Sequence, residues 1–353
     1  MALTDEIADT LTEQDMDIMR VGGGRRRKMV QELNALMGEL IALLRSESLD
    51  PTAVTRTRDV RNRIDKLSKE VGLKVREAYS GLHRATKKEL ELLVTFDANG
   101  LVGGANFAAD VSLFSGTINA TQAREIVNTT TMQGQTLGKW FQANANDYAN
   151  RVVLQVNEGV KANETINQIT TRVRRTAIPS IRNAVTLTDT ASAAVINQER
   201  LELYQQNAEV VKAVQAINPL DSRTSDICRA RAGRVWRLDD PGFPGPPPWH
   251  FNCRTTLVPI TYSGNSLKRV KGKAKLKREL KDLTGGEIKE INGAPAKNVT
   301  FESFLNKRSV AQQKEILGPG KYKLWKDGDI NMRDLIDQTG RPLTLEQLRA
   351  KHQ

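Results

Sequence analysis

Between Met29 and Arg45 the apolar positions fall at Leu33, Leu36, Met37, Leu40, Ile41 and Leu44, the i, i+3, i+4 spacing of one helix face. Asp50-Pro51 limits that helix, because the residue before a proline avoids helical backbone. A second stripe follows at Val60, Ile64, Leu67, Val71, Val75, Ala78 and Leu82, with Lys, Arg, Asp and Glu crowding the other positions. The two stripes predict a long helical hairpin that buries a shared apolar seam. The basic knot Gly22-Gly23-Gly24-Arg25-Arg26-Arg27-Lys28 reads as lying ahead of the first helix. At 97–117 the run D-A-N-G-L-V-G-G-A-N-F and a later F-S-G predict a loop and a module boundary, since glycine supplies turn conformations. Helical spacing returns from about 120 to 205. One segment carries Trp140, Phe141 and Tyr148; another places Ile166, Ile169 and Val173 on one face, with Asn163 as the expected cap.

The texture changes after Asn207. V-V-K-A-V-Q-A-I-N, G-R-V-W-R-L at 233–238 and R-T-T-L-V-P-I-T at 254–261 read as short strands, with Val235 and Leu238, or else Trp236, facing inward. Between the last two lies D-D-P-G-F-P-G-P-P-P-W, too rich in proline to pair in a sheet. From Lys268 to Lys281 eight basic residues stand against one acid, Glu279, and a glycine-bearing linker follows. The last part predicts two or three short helices, broken at Leu317-Gly318-Pro319-Gly320 and Asp327-Gly328. The expected fold is α+β and predominantly helical. Its expected parts are an N-terminal hairpin with the basic knot (1–96), a Gly-rich loop and helical region (97–205), a small β-containing core (206–262), a basic linker (263–300) and a helical C-terminal module (301–353).

Composition narrows the class. The 353 residues suffice for two or three domains with their own cores. Aromatics are only 5%, which suits helical surfaces and small cores better than one large sandwich or barrel. A formal charge of +12 favours an anionic partner such as nucleic acid. No stretch approaches the roughly 20 apolar residues of a membrane span, and no secretory leader is visible, so no membrane partner and a reducing cytoplasm are expected during assembly.

The chain has two cysteines and three histidines, and three of these five residues converge: Cys228 in D-S-R-T-S-D-I-C, then His250 and Cys253 in P-P-P-W-H-F-N-C-R. Thiolates and an imidazole are zinc ligands, and a structural zinc wants a fourth, for which Asp221 or Asp226 is available. Water in that place would make an open site. A metal-free core is the alternative, with both cysteines packed as small hydrophobes and His250 hydrogen-bonded. A disulfide is disfavoured in a reducing compartment. Asp221 and Arg223 read locally as an aspartate-started turn. No Ser/His/Asp or Cys/His/Asn set and no H-x-E with P-C-x-x-C can be assembled, so no catalytic residues are assigned.

The set P-L-D-S-R-T-S-D-I-C, G-R-V-W and P-P-P-W-H-F-N-C-R-T-T-L-V-P resembles the phage Mu F-like minor head proteins, also called head morphogenesis proteins. The helix V-I-N-Q-E-R-L-E-L-Y and the tail F-E-S-F-L-N-K-R resemble the same family, so the likeness extends over about 160–340. Carried onto this chain, the motif residues are Asp221, Arg223, Thr224, Ser225, Gly233, Pro247, Pro248, Asn252 and Arg254, around Cys228, His250 and Cys253. Two positions depart from the family pattern: Thr255 stands where many members have cysteine, and Asp189 is at best a substitute for the acid of an R-T-E segment. The resemblance implies a non-enzymatic minor protein of a tailed-phage head, inside the virion near the portal. It would meet the portal protein, packaged double-stranded DNA without sequence readout, and a major capsid or scaffolding protein. The expected phosphate contacts are Arg25, Arg26, Arg27 and Lys28, together with Lys268, Arg269, Lys271, Lys273, Lys275, Lys277, Arg278 and Lys281. A metal-dependent nuclease, or another nucleic-acid-modifying enzyme built on the Cys/His site, is the competing reading.

Overall fold

The computed structural model describes residues 3–46, 58–109, 114–261 and 300–351. The basic run 268–281 lies outside the described residues, and so does the Asp50-Pro51 stop. In chain order the elements begin with α1 (Leu3–Ser46), α2 (Arg58–Ala109) and α3 (Ala120–Thr129). A small hairpin, β1 (Thr131–Met132) and β2 (Gln135–Thr136), then leads into α4 (Leu137–Lys161) and α5 (Ile166–Gln206). The compact core follows as β3 (Ala213–Ile217), α6 (Asp226–Arg231), β4 (Val235–Arg237) and β5 (Thr256–Ile260). Four short helices close the described chain: α7 (Phe301–Asn306), α8 (Val310–Leu317), α9 (Pro319–Asp327) and α10 (Leu345–Lys351), with a 3-10 turn at Met332–Leu335. The protein is α+β and mostly helical.

Two compact units are built from interleaved segments. One takes Asp17–Leu93 and Arg124–Ser192; the other takes Met1–Met16, Val94–Ala123 and Ala193–Gln353. The first is a helical unit. Leu33, Leu36, Leu40 and Leu44 of α1 and Leu67, Val71, Val75 and Leu82 of α2 are all buried, as the stripes require, and Lys74 of α2 reaches Glu39 of α1 at 3.1 Å. Tyr79 packs edge-on against Phe141 and tilted against Tyr148, joining α2 to α4.

Four sequence expectations are corrected here. The knot 22–28 is not a segment ahead of the helix; α1 runs through it. Glycine costs about 1 kcal/mol per helical position relative to alanine, but buried side chains anchor the helix on both sides of the knot, with Ile7 and Leu11 before and Met29 and Leu33 after. The Gly-rich stretch is likewise helical as far as Ala109, because Ala98, Leu101 and Ala105 bury one face. Gly100 serves close approach: a Cβ there would stand 2.5 Å from the Gln14 amide nitrogen. Asn163 does not cap α5. It lies in the left-handed region (φ 53°) after α4, while Thr165 and Gln168 exchange backbone-to-side-chain hydrogen bonds at the start of α5. The β1–β2 hairpin, turning at Gln133-Gly134, interrupts the stretch from about 120 to 205 that reads as helical.

The second unit holds the sheet. Its order is β4-β3-β5, antiparallel throughout, with Gln215 opposite Val235 on one side and Val258 on the other. All three strands match the sequence reading, and Trp236 rather than Val235 is the inward residue. Pro259 sits on the edge strand β5, where a missing N–H is tolerated. The outer edge of β5 is closed by side chains of α5. Asn197 accepts from Leu257 N and donates to Thr255 O, Tyr204 OH donates to Leu257 O, and Arg200 donates to Thr256 Oγ1. Arg200 is fully buried and makes a two-point pair with Asp97, 2.8 Å at each oxygen, while Gln14 donates to Asp97 at 2.7 Å. Glu199 beside them is also fully buried and has no hydrogen-bond partner in the structure.

Burial and the neighbouring Asp97 push the Glu199 carboxyl well above the usual carboxylate range, so the fold favours its protonated form. A raised carboxyl contributes fully below its unfolded value of about 4.3, and that contribution fades as pH rises toward the folded value, at up to about 1.4 kcal/mol per pH unit. Glu199→Gln should therefore melt higher than wild type at pH 7 and no higher at pH 4, in parallel thermal melts. A gap that is the same at both pH values would contradict this.

Candidate functional site

The site begins with a turn. Asp221 Oδ1 accepts from Arg223 N at 3.0 Å, and Thr224 Oγ1 donates to Pro219 O, which shapes D-S-R-T into a tight bend. Ser225 then caps α6, its Oγ accepting from Cys228 N. Cys228 is thereby held on the first turn of α6, buried and facing inward. The second half arrives from the proline-rich loop. Trp249 donates to Gly245 O, meets Trp236 edge-on at 6.2 Å and carries Arg231 over its ring at 4.5 Å. Pro247 is buried and Pro248 half-buried beneath this cluster. Asn252 takes φ 59°, a left-handed conformation asparagine tolerates, and Cys253 N closes the bend onto His250 O. Gly233, at φ 72°, ends the turn after α6 and donates its N–H to Ala216 O, which ties α6 to β3.

One ion pair joins the halves. Arg254 grips Asp221 with two bonds of 2.7 and 2.8 Å. It holds the Asp221 carboxyl well below its ordinary range, aided by the backbone N–H of Arg223 and the Thr224 hydroxyl. Arg223 itself is 80% exposed and reaches Asp221 only at 3.5 Å.

At the centre, Cys228 Sγ lies 3.0 Å from His250 Nε2 and 3.6 Å from Cys253 Sγ, and Thr255 Oγ1 donates to Cys228 Sγ at 3.2 Å. His250 Nδ1 is 2.7 Å from Phe251 O. A carbonyl only accepts, so Nδ1 carries the proton and the Nε2 lone pair is turned toward the two sulfurs and Ser225 Oγ. The hydrogen bond from Cys228 draws Cys253 below the usual thiol range against the effect of burial, and it pushes Cys228 up. Burial opposes charge on His250, yet the Cys253 sulfur outweighs it and leaves the imidazole above its ordinary value.

Cys228, His250 and Cys253 form the group that can hold a metal ion among the described residues, their ligand atoms all within 4.8 Å of one another. Two cysteine sulfurs on one tetrahedral zinc stand about 3.8 Å apart, from bonds of about 2.3 Å. The observed 3.6 Å is close to that, and the outer imidazole nitrogen is already held by a carbonyl, as metal-bound histidines are. The expected fourth ligand does not join them. Asp221 is committed to Arg254, and Asp226 to Arg229 and Lys321. The group nearest to a fourth donor is a hydroxyl, Ser225 or Thr255.

The predicted phosphate contacts separate on α1. Arg25 is 8% exposed and donates to Ser192 Oγ at 2.8 Å, with Glu89 at 3.5 Å, so it is an internal strut and not an open contact. Arg26 pairs with Asp189 at 2.9 Å, while Arg27 and Lys28 are exposed. Sequence reading missed Asn197, Arg200 and Tyr204. Their signal was three polar residues recurring along the inner face of an otherwise apolar helix.

The Asp221–Arg254 pair gives a directional test. A depressed carboxyl contributes fully above its unfolded value, about 3.9, and loses that contribution only as pH falls further. Thermal melts of wild type and Asp221→Asn should stay a constant distance apart from pH 7 to about 4.5 and converge below about 3.5. Convergence already between pH 7 and about 5 would show that the pair does not clamp the site.

No curated protein and no solved structure matches the chain. Residues 149–258 match the sequence model of the family described as Phage Mu protein F like protein. That span runs from the second half of α4 into β5 and contains the whole turn, loop and Cys/His centre; it stops short of the C-terminal helices, where the sequence likeness had been extended. Residues 149–258 of this chain are thus a phage Mu protein F-like domain.

Proposed function

We propose that this is a minor structural protein of a tailed-phage head, associated with the portal and packaged DNA, in which the Cys/His centre is a structural zinc clasp. The match of residues 149–258 to the phage Mu protein F-like family supports the coarser statement, a phage head morphogenesis protein. The clasp is supported by the convergence of Cys228, His250 and Cys253 within 4.8 Å inside the family-matching segment. Zinc bound there would supply a crosslink between α6 and the proline-rich loop. Cys228 and Cys253 would hold it as thiolates and His250 through Nε2.

An enzymatic use of the same residues is disfavoured by access. Cys228 is 3% and Cys253 5% exposed, and the cavity beside them, lined by Asn218, Ser225 and Asn252, measures about 10 Å³. That is room for about one water and not for a nucleotide. Of the predicted phosphate contacts that fall on described residues, Arg27 and Lys28 stay open, with Arg26 half-committed to Asp189. Such contacts read charge and not sequence, and each phosphate neutralised adds about 0.9 to the salt slope.

Two measurements test this. Dialysis against a strong chelator at neutral pH should lower the melting temperature of wild type and leave Cys253→Ala unchanged; an unchanged wild type would remove the clasp. Affinity for random-sequence duplex DNA should fall linearly on a log–log salt plot. Arg27→Ala/Lys28→Ala should lower the slope by about 2, and an unaltered slope would take the N-terminal cations out of DNA contact.

A further inference from the structure

Asn218 directly follows β3, where the chain turns toward the D-S-R-T bend. It is 7% exposed, and neither its amide oxygen nor its amide nitrogen has a hydrogen-bond partner among the described residues. Buried amides are nearly always paired, so one with both ends unmet asks for a small polar ligand. The place for that ligand adjoins it. The cavity of about 10 Å³ beside the Cys/His centre is lined by Asn218 together with Ser225, Cys228, His250 and Thr255. That volume suits one water molecule. Water donates to an amide oxygen or accepts from an amide nitrogen, so it can meet either end of Asn218.

The metal shell asks for the same molecule. A zinc on Cys228, His250 and Cys253 takes one more donor to become tetrahedral. Both nearby carboxylates are committed, Asp221 to Arg254 and Asp226 to Arg229 and Lys321. The two nearby hydroxyls have other roles. Ser225 Oγ accepts from Cys228 N as the cap of α6, and Thr255 Oγ1 donates to Cys228 Sγ at 3.2 Å. Neutral alcohols are not among the usual donors to zinc, whereas water is. We infer that Asn218 holds a water molecule in this cavity as the fourth donor of the clasp. The inference rests on the zinc reading above. It makes Asn218 a positioning residue, in contact with the water and not with the metal. Zinc polarises the water and strengthens its O–H groups as donors, and Asn218 Oδ1 is the acceptor for one of them. The small enclosed volume admits solvent to the fourth position and excludes a larger ligand.

The test uses the full chain with divalent cobalt in place of zinc. Thiolate-to-cobalt absorption in the near ultraviolet reports whether Cys228 and Cys253 hold the metal. Electron–nuclear double resonance in water carrying a magnetic oxygen isotope then reports whether a water oxygen is bound to it. Wild type should show both signals. Leucine has the branching of asparagine, so Asn218→Leu removes both polar atoms with little change of shape. It should abolish the oxygen coupling and weaken cobalt binding by about 10- to 100-fold, the usual effect of losing a partner that supports a metal's ligands. An amide with no ligand would instead leave metal affinity unchanged on that substitution. Cobalt absorption without oxygen coupling in wild type would leave the clasp standing and overturn the water, a result that needs no variant. Coupling and affinity both unaltered in Asn218→Leu would remove Asn218 from the role. Absence of thiolate-to-cobalt absorption would overturn the clasp itself and this inference with it.

Discussion

The Mu F-like core depends on how the open edge of a three-stranded sheet is closed. A bare edge strand presents backbone donors and acceptors that must be met by water or by another chain. Here α5 meets them with side chains: Asn197 takes the N–H of Leu257 and the carbonyl of Thr255, and Tyr204 takes the carbonyl of Leu257. Asn197 thus acts as a strand substitute, pairing with both polar directions of β5. The register of β5 is fixed from two sides, by β3 and by α5. Thr255, the residue before the strand, is placed with its hydroxyl on Cys228. Cys253 lies two residues earlier, so its position follows from the same constraint.

That closure is costly on the α5 side. Arg200 reaches Thr256 while fully buried, and a buried guanidinium is tolerated only when paired. Asp97 supplies the partner from α2, and Gln14 from α1 satisfies what remains of Asp97. Glu199, one residue away with no partner, accommodates the low-polarity site by keeping its proton. The C-terminal helices extend the same logic outward. Lys321 of α9 pairs with Asp226 at the start of α6, and Arg229 lies over the ring of Phe301 at 5.0 Å. Ala230 and Ala232 enter one apolar cluster with Phe301, Leu305 and Leu335. The helix that carries Cys228 is therefore held by the sheet on one side and by this cluster on another.

Much of this was legible in the chain. The hairpin stripes, the three strands and the breaks at Gly318-Pro319 and Gly328 follow from local periodicity and backbone chemistry, and the protein obeys them. The convergence of Cys228, His250 and Cys253 was readable because such sparse residue types rarely cluster by chance. What could not be read was set by distant partners. Glycine at 22–24 and 100–104 signals a break locally, yet buried side chains on either side hold both stretches as helix. Arg25 looked like a phosphate contact because its neighbours are basic, but Ser192, 167 residues away, claims it. Asp221 looked like a metal ligand until Arg254, from the far side of the loop, took both its oxygens.

The most direct test of the clasp is X-ray absorption at the zinc edge on protein purified without added metal. Two sulfurs at about 2.3 Å and one imidazole nitrogen at about 2.0 Å, completed by a light oxygen or nitrogen donor, are the expected shell. Loss of the nitrogen component in His250→Ala would assign it. A protein that carries no zinc, or zinc bound by oxygen and nitrogen alone, would contradict a Cys228–His250–Cys253 metal centre and leave these residues as a dry, hydrogen-bonded core.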